Sequence, residues 1–386
     1  MNRLQRLHQA GVSIWLDVLS RDLLETGAFA ELIARSAVTG ATSNPTIFAK
    51  AITGTDRYDD QLRRAAASGR RAPLELFLEL ALEDVRRAAD LLRSAFDASH
   101  GRDGFVSFEC TPDLADDTQA TVAQATELWS RLARPNVMIK VPATEAGIPA
   151  IEELTAAGVN VNVTLLFSVE RYEQVIDAYV AGLERRLAAA QPLDTIASVA
   201  SFFVSRVDGK ADAVLPADSD LRGRVAVANA QRAYARYRRR FADERWRPLR
   251  DAGARSQRPL WASTGTKDPA YSDVLYVAQL IAPDVVNTMP EVTLRAFADH
   301  GVVGRPLGAE ARDADDALSR AAAAGVDLPG LTAELEREGV SSFCASYDEL
   351  LACIQSKVRT SGTPTPIPQK PSRPASGAIT TRRGAP

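Results

Sequence analysis

Lys140 is the residue whose position points most directly to covalent chemistry. It lies inside the segment 136–144, between methionine, isoleucine and valine, and this pattern predicts a short buried strand that ends near Pro142. An unpaired ammonium group is costly to bury, so such a place favours the neutral amine. A neutral lysine amine attacks carbonyl carbons. The alternative is a lysine whose aliphatic chain extends along the protein surface and places the ammonium group in water. A buried apolar strand offers no such surface.

Other polar side chains stand at or near the ends of apolar segments that we predict to be strands. They are Asp17, Asn44, Glu109, Thr164, Ser201 and Arg206, together with Ser263 and Lys267 of the segment 263–267. Each has an ordinary explanation by itself, such as a helix-terminal charge for Asp17 or a turn residue for Asn44. The carboxyl ends of parallel strands meet at one rim, and we expect no comparable set at the opposite ends. The convergence therefore favours a site.

These residue types suit carbon–carbon bond cleavage through an imine. A lysine amine attacks a ketone and loses water, and the iminium then withdraws electrons from the adjacent bond. Two carboxylates supply the proton transfers, and Thr164 can hold a water between Glu109 and the lysine. Arg206 and Lys267, expected in loops beyond the strand ends, suit a phosphate, although such charges are commonly only solvated. Small hydroxyl-bearing neighbours of Lys267 let backbone N–H groups approach an anion.

The composition describes a globular protein and excludes several classes of function. The chain has 386 residues, of which 46% are hydrophobic and 25% charged, so it can bury a large core. Its net charge of −3 gives no electrostatic case for a nucleic-acid or membrane partner. Residues 1–11 lack the apolar core of a signal peptide, and no run is long enough to span a membrane.

Cysteine and histidine usage argues against a metal. The three cysteines follow no metal or disulfide spacing, which suggests reduced thiols in a cytoplasm. The three histidines form no cluster, so we expect no metal. The residues concerned are Cys110, Cys344, Cys353, His8, His100 and His300.

Hydrophobic periodicity predicts eight strands that alternate with helices. The predicted strands are 13–19, 37–44, 104–110, 136–144, 159–167, 195–204, 259–264 and 284–289. The predicted helices are 1–11, 21–36, 58–67, 74–98, 117–132, 147–157, 168–190, 219–252, 272–280, one from 291, 311–324, 328–338 and 346–358.

Many of these strands are continuously apolar, which indicates an α/β protein with a covered parallel sheet. Eight is the number that closes a (β/α)₈ TIM barrel, here with extra N-terminal and C-terminal helices. A doubly wound open sheet would want a glycine-rich turn after the first strand, and residues 18–22 contain no glycine. We therefore expect one barrel domain over 1–357. The Pro/Ser/Thr/Gly-rich segment 358–386 is expected to be a disordered tail.

Six motifs carry a resemblance to a known family. In order they are WLD (15–17), TSNPTIF (42–48), VSFE (106–109), IKVPAT (139–144), NVTLLFS (162–168) and SFFVSRVD (201–208). Together they resemble the transaldolases, class I aldolases of the pentose-phosphate pathway, over roughly residues 1–357. The chain length and the long insertion after the second strand are similar to the actinobacterial-type branch of that family.

The resemblance implies a reaction and its participants. A dihydroxyacetone unit would pass from sedoheptulose 7-phosphate to glyceraldehyde 3-phosphate, giving erythrose 4-phosphate and fructose 6-phosphate, in the non-oxidative pentose-phosphate pathway. The protein would be a cytoplasmic transferase, a monomer or homodimer, with sugar-phosphate substrates and no cofactor.

The resemblance also assigns roles to residues of this sequence. Lys140 would form the Schiff base, and Asp17 would be the acid/base that takes the proton of the C4 hydroxyl during cleavage. Glu109 and Thr164 would manage the catalytic water in imine formation. The substrate-binding residues would be Asn44 and Ser201 for the hydroxyls of the dihydroxyacetone unit and Arg206 for the phosphate, with Ser263, Lys267 and Phe203 beside them.

The loop after the seventh strand departs from the family pattern. Many transaldolases have a second arginine there, in a motif of ASFRN type, whereas residues 262–269 read ASTGTKDP. Lys267 is the expected substitute. It would contact the phosphate as a point charge and not as a bidentate fork.

Phe203 bears on the choice between transferase and lyase. A transferase must keep its enamine from being protonated and released, and an apolar ring near the site would exclude a proton donor. Plain core packing is the alternative explanation. We expect Phe203→Tyr to raise the release of free dihydroxyacetone, measured as product without an acceptor, and an unchanged release would remove this role.

Two other functions remain open from the sequence. The first is a lyase of the same mechanism, which cleaves fructose 6-phosphate or a deoxyribose phosphate. The second is a barrel retained as a sugar-phosphate-binding or regulatory protein, against which an intact set of Lys140, Asp17 and Glu109 argues.

Overall fold

The computed structural model describes residues 1–68, 72–308 and 310–361. In this part of the chain eight parallel strands close into a barrel in sequence order, which confirms the predicted fold class. The strands are β1 (Val12–Leu16), β2 (Val38–Thr42), β3 (Phe105–Glu109), β4 (Val137–Pro142), β5 (Val161–Leu166), β6 (Ser198–Phe203), β7 (Arg258–Ala262) and β8 (Val285–Met289). Each strand lies inside its predicted segment or extends one residue beyond it, and all eight are shorter than predicted.

Helices cover the outside of the barrel. They are α1 (Arg3–Gln9), α2 (Arg21–Glu25), α3 (Ala28–Ser36), α4 (Pro45–Thr53), α5 (Asp59–Ala67), α6 (Pro73–Leu91), α7 (Arg93–Ala98), α8 (Thr118–Leu132), α9 (Gly147–Ala157), α10 (Val169–Ala188), α11 (Ser205–Val214), α12 (Val225–Arg240), α13 (Trp246–Asp251), α14 (Leu275–Gln279), α15 (Glu291–His300), α16 (Arg312–Ala323) and α17 (Leu328–Ser361). Among them, none is long and apolar enough to cross a membrane within the described ranges.

Several predicted helices have different bounds. The predicted helix 21–36 is interrupted at Gly27, whose φ of +79° lies in the left-handed region that glycine adopts readily. The predicted helix 219–252 is the pair α12 and α13, whereas the predicted helices 328–338 and 346–358 are one helix, α17. Its end at Ser361 takes in the first four residues of the predicted tail. The rest of that tail, 362–386, lies outside the described residues.

Two helices that begin at the rim were not predicted. Asn44 is the N-cap of α4, where its side-chain oxygen accepts from the Ile47 N–H at 2.9 Å, and Pro45 occupies the first helical position. Asparagine followed by proline is a recognisable helix start, so the sequence did contain this signal. Helix α11 begins directly after β6, with no capping side chain.

The register between neighbouring strands determines which polar side chains lie next to Lys140. Glu109 of β3 lies opposite Lys140 of β4, and Lys140 lies opposite Asn162 of β5. Because alternate residues of a strand face the same side, this register places the three polar side chains inside the barrel. Most other side chains of these three strands belong to the buried apolar core.

Helix α17 packs across the carboxyl end of the barrel. Thr46 of α4 donates to Ser346 at 2.7 Å, and Lys210 of α11 lies within 2.9 Å of carboxylate oxygens of both Glu334 and Glu338. Gly339 makes the close approach possible, since a Cβ there would lie 2.9 Å from the side chain of Leu165. The C-terminal helix thereby covers the rim.

Candidate active site

A cavity of about 190 Å³ opens at the carboxyl end of the barrel. Its walls come from seven strand ends and from α11 and α17. The lining includes Asp17, Asn44, Lys140, Thr164, Ser201, Phe203, Arg206, Ser263 and Lys267 from the predicted set, with Thr42, Thr288 and Phe343 among the others. The structure thus brings nine of the ten predicted site residues to one cavity. The tenth, Glu109, contacts Lys140 behind it.

Lys140 and Glu109 form a buried pair. Lys140 is only 6% exposed, and its Nζ is 2.6 Å from Glu109 Oε1. Nζ also donates to the backbone carbonyl oxygen of Ser43 at 3.0 Å. Burial raises the pKa of Glu109, while the charge of Lys140 acts against that rise. A carboxyl group in this position is suited to exchange a proton with the amine.

Glu109 and Thr164 face a second, much smaller cavity of about 20 Å³. This volume has room for one water molecule. Glu109 Oε2 and Thr164 Oγ1 are buried, and neither has a hydrogen-bonding partner among the residues that the structure describes. Lys140 borders this cavity as well as the larger one. The arrangement offers a water position in reach of the amine.

Asp17 follows β1 and is held inside the larger cavity. Its Oδ1 accepts from Thr42 Oγ1 at 2.8 Å, and its backbone N–H donates to the carbonyl oxygen of Met289 at 2.7 Å. Burial raises the pKa of Asp17; the Thr42 hydrogen bond and then the charges of Lys140, Arg206 and Lys267 oppose that rise. A buried carboxyl group among cations can take up and return a proton.

Two polar groups on the cavity wall are fixed by their neighbours. The oxygen of Asn44 accepts from the N-terminus of α4, which leaves its amide nitrogen as the group able to donate to a ligand. Ser201 Oγ donates to Asn162 Oδ1 at 2.6 Å, and Asn162 Nδ2 donates to Ser107 Oγ at 2.8 Å. This chain crosses the barrel beneath Lys140 and orients the Ser201 hydroxyl.

Arg206 lies in the first turn of α11, so the expectation of a loop is wrong for this residue. The short link between β6 and α11 leaves no room for one. The guanidinium stacks over the Phe203 ring at 5.3 Å, and no carboxylate of the described ranges lies within ion-pair distance. Burial lowers the pKa of Arg206. A half-buried arginine without an anionic partner is a candidate ligand for an anion.

Lys267 and Ser263 lie in the β7–α14 connection and line the same cavity as Arg206. Lys267 is exposed and, within the described chain, has no carboxylate at ion-pair distance. Ser263 has a φ of +55°, and its hydroxyl lies 2.9 Å from that of Ser205 at the start of α11. The connection therefore holds one cation over the mouth of the cavity, as expected for Lys267.

Some residues of this site were missed from the sequence. Thr42 and Asn162 belong to two of the motifs quoted above, so their positions carried a signal that was not interpreted. Thr288 is the last residue but one of β8, and its hydroxyl lies 2.8 Å from that of Thr42. Phe343 lies on α17, far along the chain, and only the packing of that helix brings it to the cavity.

The opposite end of the barrel is more polar than expected. A larger cavity of about 570 Å³ lies there, with five arginines among its lining residues. Two of them form hydrogen bonds to backbone groups. Arg255 donates to the carbonyl oxygens of His100 and Gly101, and Arg258 donates to that of Arg102. These contacts tie strand ends together. The functional groups for a carbonyl reaction meet in the cavity of about 190 Å³ at the carboxyl end of the barrel.

Fold and cavity together define a (β/α)₈-barrel enzyme built around a buried lysine–carboxylate pair. A family model described as Transaldolase/Fructose-6-phosphate aldolase matches residues 14–354, and the chain belongs to this family.

Curated relatives agree with this placement. Proteins named transaldolase from Saccharopolyspora erythraea and Mycolicibacterium smegmatis are 51% and 50% identical, over 92% of this chain and 98% and 97% of their own lengths. One from Thermobifida fusca is 51% identical over 90% of this chain and 96% of its own. The protein is an enzyme of the transaldolase type.

Proposed function

We propose that the enzyme transfers a dihydroxyacetone unit from sedoheptulose 7-phosphate to glyceraldehyde 3-phosphate through a Schiff base on Lys140. The observation that carries this proposal is the buried contact of Lys140 with Glu109, because Lys140 also lines the cavity that contains Asp17. A nucleophilic amine and two separate proton-exchanging carboxyl groups are what imine formation and carbon–carbon cleavage require.

Imine formation uses the pair and the small cavity. Glu109 takes a proton from Lys140, and the neutral amine attacks the ketone carbon C2 of the donor. A water held between Glu109 and Thr164 carries the proton to the carbinolamine oxygen, which leaves as water. The unpartnered oxygens of both side chains support this role because a bridging water would satisfy them.

Cleavage is assigned to Asp17. Its carboxylate takes the proton of the C4 hydroxyl, the C3–C4 bond breaks, and the electron pair passes into the iminium to form an enamine. Erythrose 4-phosphate leaves as the aldehyde. With glyceraldehyde 3-phosphate bound, the enamine attacks its carbonyl, Asp17 returns the proton, and hydrolysis of the new iminium releases fructose 6-phosphate.

The remaining polar groups of the cavity would position the substrate. Asn44 and Ser201 would hold hydroxyls of the dihydroxyacetone unit. Arg206, assisted by Lys267 and Ser263, would bind the phosphate of donor or acceptor. Support comes from the free guanidinium of Arg206 and from the fixed orientations of the two smaller residues.

A lyase of the same mechanism is the second candidate, since the family description includes fructose-6-phosphate aldolase. The two are separated by assaying fructose 6-phosphate cleavage with and without erythrose 4-phosphate as acceptor. A transferase forms sedoheptulose 7-phosphate and releases little free dihydroxyacetone. Equal turnover without acceptor, with dihydroxyacetone accumulating, would contradict the transferase assignment.

Replacing Arg206 with alanine should weaken binding of phosphorylated donors. Loss of a charged, bidentate contact costs about 3 kcal/mol, which corresponds to a rise of about 100-fold in KM. Lys267→Ala should raise KM by only about threefold to tenfold because its charge is exposed. Steady-state kinetics with fructose 6-phosphate measures both effects.

Unphosphorylated fructose is the control substrate for this prediction. Its turnover should respond little to either substitution, because it offers no anion to the two cations. An equal loss of activity on fructose would show that Arg206 supports the shape of the cavity and does not bind the phosphate.

Cellular setting and assembly remain part of the proposal. A cytoplasmic location is supported by the sugar-phosphate substrates and by three cysteines that form no disulfide. The expected assembly is a monomer or homodimer. Within the described residues, no three histidine, cysteine or acidic side chains come together as a metal site.

A further inference from the structure

Phe343 is the residue of α17 that lines both cavities beside Lys140. In the larger cavity it faces the groups assigned to substrate binding, and in the smaller one it stands beside Val340 above Glu109 and Thr164. Its side chain is only 9% exposed. Lys140 and Thr164 are the other two residues common to both cavities, so Phe343 closes the boundary between them.

The position of Phe343 is fixed on two sides. Toward the N-terminal part of α17, Arg171 lies 3.4 Å from a carboxylate oxygen of Glu336, and Gly339 packs on Leu165. One turn after Phe343, the ring of Tyr347 packs edge-on against Phe77 with centroids 5.8 Å apart. The phenyl ring is therefore held over the cavities by the fold and not by the substrate.

The enamine formed on Lys140 has two fates. In transfer, its nucleophilic carbon attacks the acceptor aldehyde. In release, that carbon takes a proton from solvent, the iminium so formed adds a water molecule, and the carbon–nitrogen bond breaks to give dihydroxyacetone and the free amine. The net reaction of the second route is cleavage of the donor into dihydroxyacetone and an aldose phosphate. Water access to the enamine decides between the two routes.

We propose that Phe343 is a specificity-determining residue that separates the single water used in imine formation from bulk water. The inference rests on the proposed function. Its ring limits the small cavity to the volume of a single water beside Glu109 and Thr164, and it keeps solvent from the enamine carbon in the larger cavity. Transfer then outcompetes release, because the water needed for imine chemistry is admitted and the proton source that would quench the enamine is not.

The test compares Phe343→Ala and Phe343→Leu with a matched control, Leu350→Ala. Leu350 lies on the same helix, is fully buried and lines neither cavity. With fructose 6-phosphate as donor, free dihydroxyacetone is measured without acceptor and transfer product with erythrose 4-phosphate. Borohydride trapping of Lys140 with the same donor is measured in parallel. Circular dichroism follows the folding of each variant.

Phe343→Ala should raise the ratio of release to transfer by about tenfold or more, and Phe343→Leu should raise it less because part of the apolar volume remains. Leu350→Ala should keep the wild-type ratio, even if its melting temperature falls. An unchanged ratio in both Phe343 variants, or an equal rise in Leu350→Ala, would overturn the inference. Absence of trapping at Lys140 in the wild-type enzyme would instead overturn the proposed function. The two failures are thus distinguishable.

Discussion

Replacing Lys140 with methionine is expected to abolish turnover of sugar phosphates. The substitution keeps an unbranched side chain of similar volume, so the cavity keeps its shape, but no imine can form. We expect kcat/KM for transfer to fall by about 10⁴-fold or more, equivalent to about 5.4 kcal/mol of transition-state stabilisation. Without the lysine charge, burial and the negative charge of Asp17 both act to raise the pKa of Glu109.

Lys50→Met is the matched control for this prediction. Lys50 is an exposed lysine in the last turn of α4, away from the lining of the cavity. It should keep wild-type kinetics. If Lys140→Met kept more than a few per cent of the activity, while Lys50→Met behaved as wild type, imine chemistry at Lys140 would be wrong.

Asp17→Asn should separate two steps of the reaction. The amide keeps the size of the carboxylate but cannot accept the proton of the C4 hydroxyl, so cleavage should slow by about 10²- to 10⁴-fold. Imine formation uses Glu109 and Thr164 and should continue. The variant should therefore accumulate the uncleaved donor on the enzyme. Single-turnover assays with mass spectrometry of the reduced adduct measure both quantities.

The mass of the reduced adduct shows whether the donor was cleaved before it was trapped. With fructose 6-phosphate and borohydride, Asp17→Asn should give mainly the six-carbon adduct that retains the phosphate, whereas the wild-type enzyme should give mainly the three-carbon adduct. A variant that forms the three-carbon adduct as fast as the wild-type enzyme would show that another group takes the proton.

The sequence predicted which residues meet in the candidate site better than it predicted the bounds of the helices around them. Lys140 and Glu109 were recognisable because a charged or polar side chain interrupts an apolar strand, and burial makes such an interruption costly without a purpose. Their pairing is a matter of strand register between β3 and β4, which the closed barrel sets. No local pattern contains that information.

The positions of Arg206 and Phe343 in the fold could not be predicted from their neighbours in the sequence. Arg206 was expected in a loop because it follows the sixth predicted strand. Helix α11 begins there without a capping side chain that would mark a helix start. Phe343 lies between the predicted helices 328–338 and 346–358, so no element was predicted for it. Its place beside Lys140 comes from the passage of α17 over the rim, a contact between segments about two hundred residues apart, and periodicity carries no such information.

The polar chain beneath the lysine was missed for a different reason. Asn162 begins the NVTLLFS motif, but asparagine is unfavourable inside a strand, and the sequence alone did not indicate a hydrogen-bonding partner for it. The structure supplies partners on both sides, Ser107 and Ser201, so each hydrogen-bonding group is satisfied inside the barrel. A buried asparagine in an apolar strand was the available signal.

The most direct test of the account is borohydride reduction of the enzyme with fructose 6-phosphate, followed by peptide mapping. One covalent adduct is predicted, on the peptide that contains Lys140, with none on the peptides that contain Lys50, Lys210 or Lys267. Lys140→Met should give no adduct. An adduct on another lysine, or none in the wild-type enzyme under turnover conditions, would contradict the central claim.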